Sequence, residues 1–188
     1  MRKTDKKTEF DSRSDALLQA HRRARGLLRQ YNGPESAKPE ERADLLEALL
    51  GQTATGVWIE PPFFCDYGRN IFVGEGVFAN FNCVFLDGAR ITIGAGTLIG
   101  PAVQIYATGH PLKAEDRVFR RDNGCLGYHS SAQPVTIGKN AWIGGGAIIQ
   151  PGVTIGDGTT IGAGSVVTKD IPANVFAAGN PCKVIRDL

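Results

Sequence analysis

The sequence predicts an all-β solenoid built from six-residue repeats, closed at its N-terminal end by an α-helical cap. An aliphatic residue returns at every sixth position of the C-terminal third: Ile137, Ile143, Ile149, Ile155, Ile161 and Val167. A second series at this spacing tolerates left-handed backbone geometry: Asn140, Gly146, Gly152, Gly158, Gly164 and Asp170. A period of six fits neither an α-helix nor a simple strand. Each hexad is therefore expected to form a short strand and a turn around an aliphatic interior.

Two shorter blocks earlier in the chain have the same period. Their aliphatic or aromatic positions are Val73, Ala79, Phe85, Ile93, Ile99 and Ile105. Prolines 61 and 62 argue against a central strand, so the segment before these blocks is expected to be an extended lead-in. No hexad fits residues 106–136, where we expect a long irregular loop of the kind that often carries function. The predicted organisation is a cap over residues 1–56 and a coil over residues 57–188 that contains this loop.

Two helices are predicted in the cap, where they would cover the open end of the solenoid. The apolar stripe of the first helix has spacings of three and four: Leu17, Ala20, Ala24, Leu27 and Tyr31. Its opposite face carries His21 and four arginines and is expected to be solvated. The second helix is expected to begin near Pro39 and to end near Gly51.

The composition narrows the range of partners. The chain has 188 residues and a net charge of +2, too small to predict a nucleic-acid partner. Its four cysteines are isolated and lack metal-ligand spacing, as suits a reducing compartment. No apolar run is long enough to span a bilayer, and residues 1–10 are rich in charge. We therefore expect a cytoplasmic protein without a nucleic-acid or membrane partner.

One histidine is a candidate catalytic residue. His110 lies between Gly109 and Pro111, which give the backbone a stiff local conformation, and it opens the long loop directly after a hexad. An imidazole is suited to taking a proton from an alcohol near neutral pH, although a purely structural role is the alternative. His21 and His129 cannot be placed beside His110 on adjacent coils, so no metal site is expected.

Several motifs resemble those of the maltose/galactoside O-acetyltransferase family. They are PPFFCDYG at 61–68, ANFN at 79–82, TGHPL at 108–112 and WIGGG at 142–146, continued over 161–172 and 178–186. Hexads alone are shared by many acyltransferases, whereas the lead-in combined with ANFN and Gly-His-Pro is specific. The resemblance implies a left-handed parallel β-helix that forms a homotrimer with active sites between neighbouring subunits. It also implies acetyl transfer from acetyl-CoA, as co-substrate, to a hydroxyl group, usually of a sugar.

The resemblance also assigns site residues. His110 matches the general base and Asn80 matches a catalytic residue that orients substrate and base. The predicted substrate-binding residues are Asp66, Asn80 and Asp87. From sequence pattern alone, Asp66 either binds a hydroxylated ligand or closes a local turn. The predicted coenzyme-binding residues are Gly145, Ala163, Thr168, Lys169, Lys183 and Arg186.

Acyl transfer from a thioester to an alcohol needs a base for the hydroxyl and donors for the developing oxyanion. No covalent nucleophile is needed when both substrates are held together, so we predict direct attack in a ternary complex. A backbone N–H near Gly145 is the candidate oxyanion donor. The basic side chains at 169, 183 and 186 are predicted to meet coenzyme phosphates, and an ordinary basic surface is the alternative.

The chain departs from the family pattern before the coil restarts at Pro134. Sugar-acetylating relatives commonly carry a glutamate there, whereas residues 124–133 contain no carboxylate. Glu115, Asp116 or Asp122 are candidates to orient His110 instead, and Asp11 or Asp15 are candidates for an acidic residue near the N-terminal helix. Three hypotheses remain: a carbohydrate O-acetyltransferase, a xenobiotic or amino-sugar acetyltransferase on the same coil, and a non-catalytic scaffold.

Overall fold

The computed structural model describes residues 8–33 and 38–188, so the predicted cap residues 1–7 and 34–37 lie outside the described chain. Strand β1 (Thr8–Asp11) is followed by helices α1 (Asp15–Tyr31) and α2 (Pro39–Leu49). Both predicted helices are confirmed. Helix α1 buries Ala24, Leu28 and Tyr31, and the Tyr31 hydroxyl donates a hydrogen bond to the carbonyl of Ile59 in the coil. The helices are therefore fixed to the start of the solenoid.

The coil starts directly after α2. Its first three turns consist of nine short strands: β2 (Gln52–Thr53), β3 (Trp58–Ile59), β4 (Phe63–Cys65), β5 (Ile71–Val73), β6 (Phe78–Ala79), β7 (Cys83–Leu86), β8 (Ile91–Ile93), β9 (Leu98–Ile99) and β10 (Gln104–Tyr106). The expected extended lead-in is itself the first turn, because Pro61 and Pro62 lie at the corner between β3 and β4. There they interrupt no strand.

The long segment after β10 is ordered, and the expectation of an irregular loop is wrong. It contains β11 (Thr108–Gly109), a short 3₁₀ helix (Ala114–Asp116), β12 (Val118–Arg120) and β13 (Leu126–Ala132). Strand β13 pairs antiparallel with β1, β11 and β12. The period-six pattern does not predict this small sheet, because the register of β13 depends on pairing with β1, near the N-terminus.

The coil resumes at Val135 and runs almost to the C-terminus. Its remaining strands are β14 (Val135–Ile137), β15 (Trp142–Ile143), β16 (Ile148–Ile149), β17 (Thr154–Ile155), β18 (Thr160–Ile161), β19 (Val166–Val167), β20 (Val175–Ala178) and the antiparallel end strand β21 (Lys183–Asp187). The result is a left-handed β-helix of about six turns, which confirms the predicted fold class. The period-six aliphatic side chains, such as Ile143 and Ile149, have no exposed surface and fill its interior.

Three sheets, parallel except for the end strand β21, form the faces of the coil. Sheet 1 contains β2, β5, β8, β14 and β17; sheet 2 contains β3, β6, β9, β15, β18, β20 and β21; sheet 3 contains β4, β7, β10, β16 and β19. We call the turns between sheets 2 and 3 corner 2–3, and those between sheets 3 and 1 corner 3–1. Where the chain is described, no helix is both long and apolar enough to cross a membrane.

Candidate active site

His110 lies where the long segment leaves corner 3–1. Its ring Nδ1 is 2.9 Å from the backbone carbonyl oxygen of His129 on β13. A carbonyl can only accept, so Nδ1 carries the proton and Nε2 keeps a free lone pair. The side chain is exposed, so Nε2 is available to a ligand. His110 therefore has the tautomer that a general base requires.

A cavity of about 400 Å³ opens beside His110. It lies between the start of α1, corner 3–1 and the small antiparallel sheet. Its lining residues are Phe10, Ser12, Leu18, His21, Asp66, Tyr67, Leu86, Thr108, Gly109, His110 and Ser130. The wall combines apolar surface with hydroxyl, imidazole and carboxyl groups, as suits a small hydroxylated ligand. We call it the His110 cavity.

The sequence predicted that His21 lies on a solvated helix face, whereas in the structure its ring contacts the coil. Its Nδ1 is 3.2 Å from the backbone oxygen of Asp66, and Arg25 Nε donates a 3.2 Å hydrogen bond to its Nε2. This places the imidazole in the wall of the His110 cavity and ties α1 to corner 3–1. Sequence reasoning missed the residue because a helix with a broad polar face gives no sign of which polar group meets the coil.

Asp66 and Asp87 lie at corner 3–1 in the first two turns of the coil, and only Asp66 lines the cavity. Burial raises the pKa of the Asp66 carboxyl, and this is opposed by the charges of His21 and Arg25. Asp87 was predicted to bind substrate, but it has no exposed surface and does not line the cavity. Its carboxylate accepts backbone N–H bonds from Asp66 at 3.1 Å, Tyr67 at 2.8 Å and Asn70 at 3.2 Å. Asp87 thus holds the turn that presents Asp66.

The environment of Asp87 is costly for its charge. Burial raises the pKa of its carboxyl to about 6, although the backbone N–H groups of Tyr67, Gly68 and Asn70 act in the opposite direction. A buried carboxylate that accepts several N–H bonds is compensated only in part for its lost hydration.

Asn80 lies at corner 2–3, not in the His110 cavity. Equivalent positions in the following turns are Gly100, Gly144 and Gly162, each with an N–H bonded to the next coil, as is that of Asn80. A Cβ on Gly144 would lie 2.5 Å from the Ala163 nitrogen, so these glycines let the coils approach. Asn80 alone in this series presents a side chain. Its Oδ1 accepts a 2.8 Å hydrogen bond from the Phe81 N–H, which leaves its Nδ2 to donate outward.

Two predicted coenzyme-binding residues share this corner. Gly145 and Ala163 occupy equivalent positions in successive turns, linked by a 2.9 Å hydrogen bond from the Gly164 N–H to the Gly145 carbonyl. The N–H groups on either side of Gly145 are used within the coil, by bonds from Gly144 to Ile161 and from Gly146 to Pro101. The half-buried backbone at Gly145 and the exposed backbone at Ala163 thus form a strip along this corner.

The remaining predicted coenzyme contacts lie near the end of the coil. Thr168 and Lys169 are exposed at corner 3–1, and Lys183 and Arg186 are exposed on β21, which pairs antiparallel with β20 at the end of sheet 2. Lys183 pairs with Ala178, and a Cβ on Gly162 would lie 2.8 Å from the Ala178 Cβ, so Lys183 is close to the strip of corner 2–3. The guanidinium of Arg186 lies 5.8 Å from the Phe176 ring centre.

None of the acidic candidates for orienting His110 is its partner, because the carbonyl of His129 has that role. Asp11 instead pairs with Arg121, with Oδ2 2.8 Å from Nε, and accepts bonds from the N–H groups of Arg13 and Tyr128. It thereby fastens β1 to the base of β13. Over residues 8–33 and 38–188, no group of three or more His, Cys, Asp or Glu side chains could hold a metal ion.

Comparisons with known proteins identify the class first. Residues 134–169 match the bacterial transferase hexapeptide (six repeats) family, and residues 9–54 match the maltose acetyltransferase hexapeptide capping motif. The coil and its helical cap thus define a hexapeptide-repeat transferase.

Individual relatives identify the family. The chain is 41% identical to galactoside O-acetyltransferase of Escherichia coli, over 95% of this chain and 84% of the relative. It superimposes on a maltose O-acetyltransferase from Clostridium difficile with a TM-score of 0.87 and 43% identity, covering 97% and 93% of the two chains. A galactoside acetyltransferase solved with coenzyme A gives 0.86 and 42%, covering 96% and 86%. The chain belongs to the maltose/galactoside O-acetyltransferase family and is an acetyltransferase.

Proposed function

We propose that the protein transfers the acetyl group of acetyl-CoA to a hydroxyl group of a sugar or glycoside, with His110 as general base. The observation that carries this proposal is the hydrogen bond from His110 Nδ1 to the His129 carbonyl, beside a cavity with polar and apolar walls. Because His110 lines this cavity and its side chain is exposed, its Nε2 is open to a ligand.

The chemistry follows from the tautomer. Nε2 of His110 accepts the proton of the acceptor hydroxyl as its oxygen attacks the thioester carbonyl carbon. The C–S bond then breaks, and the imidazolium returns the proton to the leaving sulfur. The carbonyl of His129 stabilises the imidazolium that forms between these steps. No residue of the chain becomes acetylated, because both substrates are held in one complex.

Residues along corner 2–3 and at the coil end are suited to coenzyme A. A glycine at position 145 lets the pantetheine arm approach the main chain, and the Gly145 N–H is our candidate donor for the oxyanion. Ala163 continues this backbone strip, and Thr168 adds a hydroxyl. Lys169, Lys183 and Arg186 would meet the phosphates, and their exposure leaves them free to do so.

We further propose a homotrimer with active sites between subunits. Asn80 and His110 lie at opposite ends of the strands of sheet 3. One of these strands, β7, has four residues and is about 13 Å long. In one chain they are therefore too far apart to contact the same hydroxyl. A neighbouring subunit that brings its Asn80 to this chain's His110 would complete the site.

The acceptor class rests on the relatives and on the cavity. One solved relative is named a maltose O-acetyltransferase and another relative a galactoside O-acetyltransferase, and the His110 cavity has no lysine or arginine in its lining. We propose a carbohydrate acceptor without a negative charge at the reacting end. An amino-sugar or xenobiotic acceptor is the alternative that Asp66 would favour, because a carboxylate can pair with an ammonium group. The four unpaired thiols are compatible with the cytoplasmic location that we also propose.

The decisive experiment measures thiol release from acetyl-CoA with glucose, galactose, maltose, glucosamine and their methyl glycosides. Sugar-dependent release by the wild type that is lost in His110→Ala is the expected result. Equal release by both proteins would remove His110 from the mechanism. Release with no member of the panel, while coenzyme A still raises the melting temperature, would place the acceptor outside simple sugars.

A further inference from the structure

One buried hydroxyl group in the His110 cavity has no partner in the protein. Among the residues that the structure describes, Ser130 Oγ is the only buried side-chain nitrogen or oxygen without a hydrogen bond, and Ser130 is 1% exposed. Buried polar groups are almost always paired in folded proteins, because an unpaired one has lost its hydration without compensation. Such a group in a cavity wall therefore indicates a place where a ligand supplies the missing bond.

The strand register shows that this hydroxyl belongs to the cavity face of the small sheet. Ser130 is directly opposite Phe10 in the pairing of β13 with β1, and both residues line the His110 cavity. The neighbouring Ser131 is opposite Glu9 and does not line the cavity. This agrees with the alternation of side chains along a strand.

The other serine and threonine hydroxyls of the cavity are already engaged. Ser12 Oγ donates to the Tyr128 carbonyl at 3.5 Å. Thr108 Oγ1 accepts from the Gly88 N–H at 2.9 Å and donates to the Leu86 carbonyl at 3.3 Å. Among these serine and threonine hydroxyls, Ser130 alone keeps its full hydrogen-bonding capacity for a ligand.

Ser130 is also coupled to the base through the backbone. It directly follows His129, whose carbonyl accepts the bond from His110 Nδ1. The hydroxyl and the imidazole are thus held by adjacent residues of one strand that is paired on both edges. Their relative position is fixed before a ligand enters, as accurate orientation requires.

We propose that Ser130 is the residue that positions the acceptor, by a hydrogen bond from its hydroxyl to a carbohydrate oxygen near the hydroxyl that His110 deprotonates. This inference rests on the proposed function and adds to it a residue that selects the acceptor. Ser130 takes no part in proton transfer.

The test compares Ser130→Ala with Ser131→Ala, which removes a hydroxyl from the adjacent buried residue on the other face. With the best sugar of the panel, Ser130→Ala is expected to lower kcat/KM for the sugar by about 10-fold or more, through a higher KM. The KM for acetyl-CoA stays unchanged in both variants. Equal values for the two variants would overturn the proposal.

Deoxy derivatives of that sugar separate direct contact from a structural effect. Removing the sugar hydroxyl that Ser130 contacts should lower the kcat/KM of the wild type as much as the mutation does. The same deoxy sugar should leave the kcat/KM of Ser130→Ala unchanged. If every deoxy sugar weakens both proteins equally, Ser130 does not contact the acceptor.

Two measurements do not require turnover. Without ligand, the melting temperature of Ser130→Ala should equal or exceed that of the wild type, because the lost hydroxyl has no partner. A lower value would reveal a structural role and overturn the proposal. The rise in melting temperature caused by the sugar should be smaller in this variant. If the wild type turns over no sugar, the proposed function fails, and the role of Ser130 is then tested only by the rise in melting temperature that the sugar causes. If the sugar causes no rise in the wild type either, the proposal for Ser130 is overturned as well.

Discussion

The ring Nδ1 of His110 and the backbone carbonyl oxygen of His129 lie 2.9 Å apart. In many enzymes a carboxylate has this orienting role, and residues 124–133 contain none. A carbonyl fixes the same tautomer without adding a negative charge beside the base. The departure from the family's acidic pattern is therefore compatible with an active histidine.

Two histidine variants test this relationship. His110→Ala should lower kcat by about 10²- to 10⁴-fold, the usual contribution of a general base. His129→Ala should retain activity within about 3-fold, because the mutation keeps the carbonyl and removes only a ring that stacks on Phe119 with centroids 4.4 Å apart. Steady-state kinetics with saturating acetyl-CoA measures both. A loss in His129→Ala as large as that in His110→Ala would contradict orientation by the carbonyl.

Subunit mixing tests the proposed intersubunit site. His110→Ala and Asn80→Ala should each be almost inactive, but co-expressed chains should form mixed trimers that regain activity. Each site needs an intact His110 beside an intact Asn80 from the neighbour, so random mixing should restore about one quarter of wild-type activity. The double variant, which carries both substitutions in one chain and is expressed alone, is the background control. No recovery in trimers shown to be mixed would place both residues in one subunit's site or remove Asn80 from it.

Basic side chains near the coil end should affect acetyl-CoA alone. Lys169→Ala, Lys183→Ala and Arg186→Ala should each raise the KM for acetyl-CoA by about 3- to 10-fold, because one charged contact to a phosphate is lost. The KM for the sugar should not change. Lys139→Ala is the matched control, because Lys139 is exposed at a corner between sheets 1 and 2. An equal effect at Lys139 would indicate only a general electrostatic influence.

Asp87 should make stability fall as pH rises through the acidic range. Its folded pKa of about 6 lies above the usual value, near 4, of an unfolded aspartate, so the folded chain holds this proton more tightly. The stabilisation is complete below about pH 4 and is lost as pH rises through 6, by about 2–3 kcal/mol at most. Melting temperatures from pH 4.5 to 7.5 should show this fall in the wild type, relative to Asp87→Asn.

The Asn variant cannot ionise, but its amide nitrogen faces an N–H donor, so it should be less stable at every pH. What decides the prediction is the difference between the two profiles. Parallel profiles would mean that Asp87 does not titrate in this range.

Asp11 and Arg121 should couple the cap to the cavity wall. Asp11→Ala should lower the free energy of unfolding more than Arg121→Ala does, because Asp11 also accepts hydrogen bonds from the N–H groups of Arg13 and Tyr128. Both variants should raise the KM for the sugar, since β1 and the turn after it bring Phe10 and Ser12 into the cavity wall. A double-mutant cycle by urea unfolding should give a coupling of about 0.5–1 kcal/mol. A coupling near zero would show that the ion pair does not hold β1.

The period-six pattern predicted the coil because each turn repeats the same local chemistry. Ile143 and Ile149 are buried as expected, and five of the six predicted corner positions have positive φ, from Asn140 to Gly164, whereas Asp170 does not. Asp87 shows the limit of transferring roles by position, since its carboxylate faces backbone N–H groups. His21 and Ser130 reach the cavity only through the packing of α1 and the pairing of β13 with β1. No local pattern reports such long-range contacts.

The stacked turns at corner 2–3 also set fixed distances along the axis of the coil. Asn80 belongs to the second turn of the coil, Gly145 to the fourth and Ala163 to the fifth. Adjacent strands lie about 4.8 Å apart, so the distance along the coil axis between these groups is set by counting turns. Inserting or deleting one complete turn would change that distance in a single step of about 4.8 Å while leaving each corner unchanged. Under the proposed function, the length of acetyl-CoA is therefore matched by the number of repeats, and not by any one side chain.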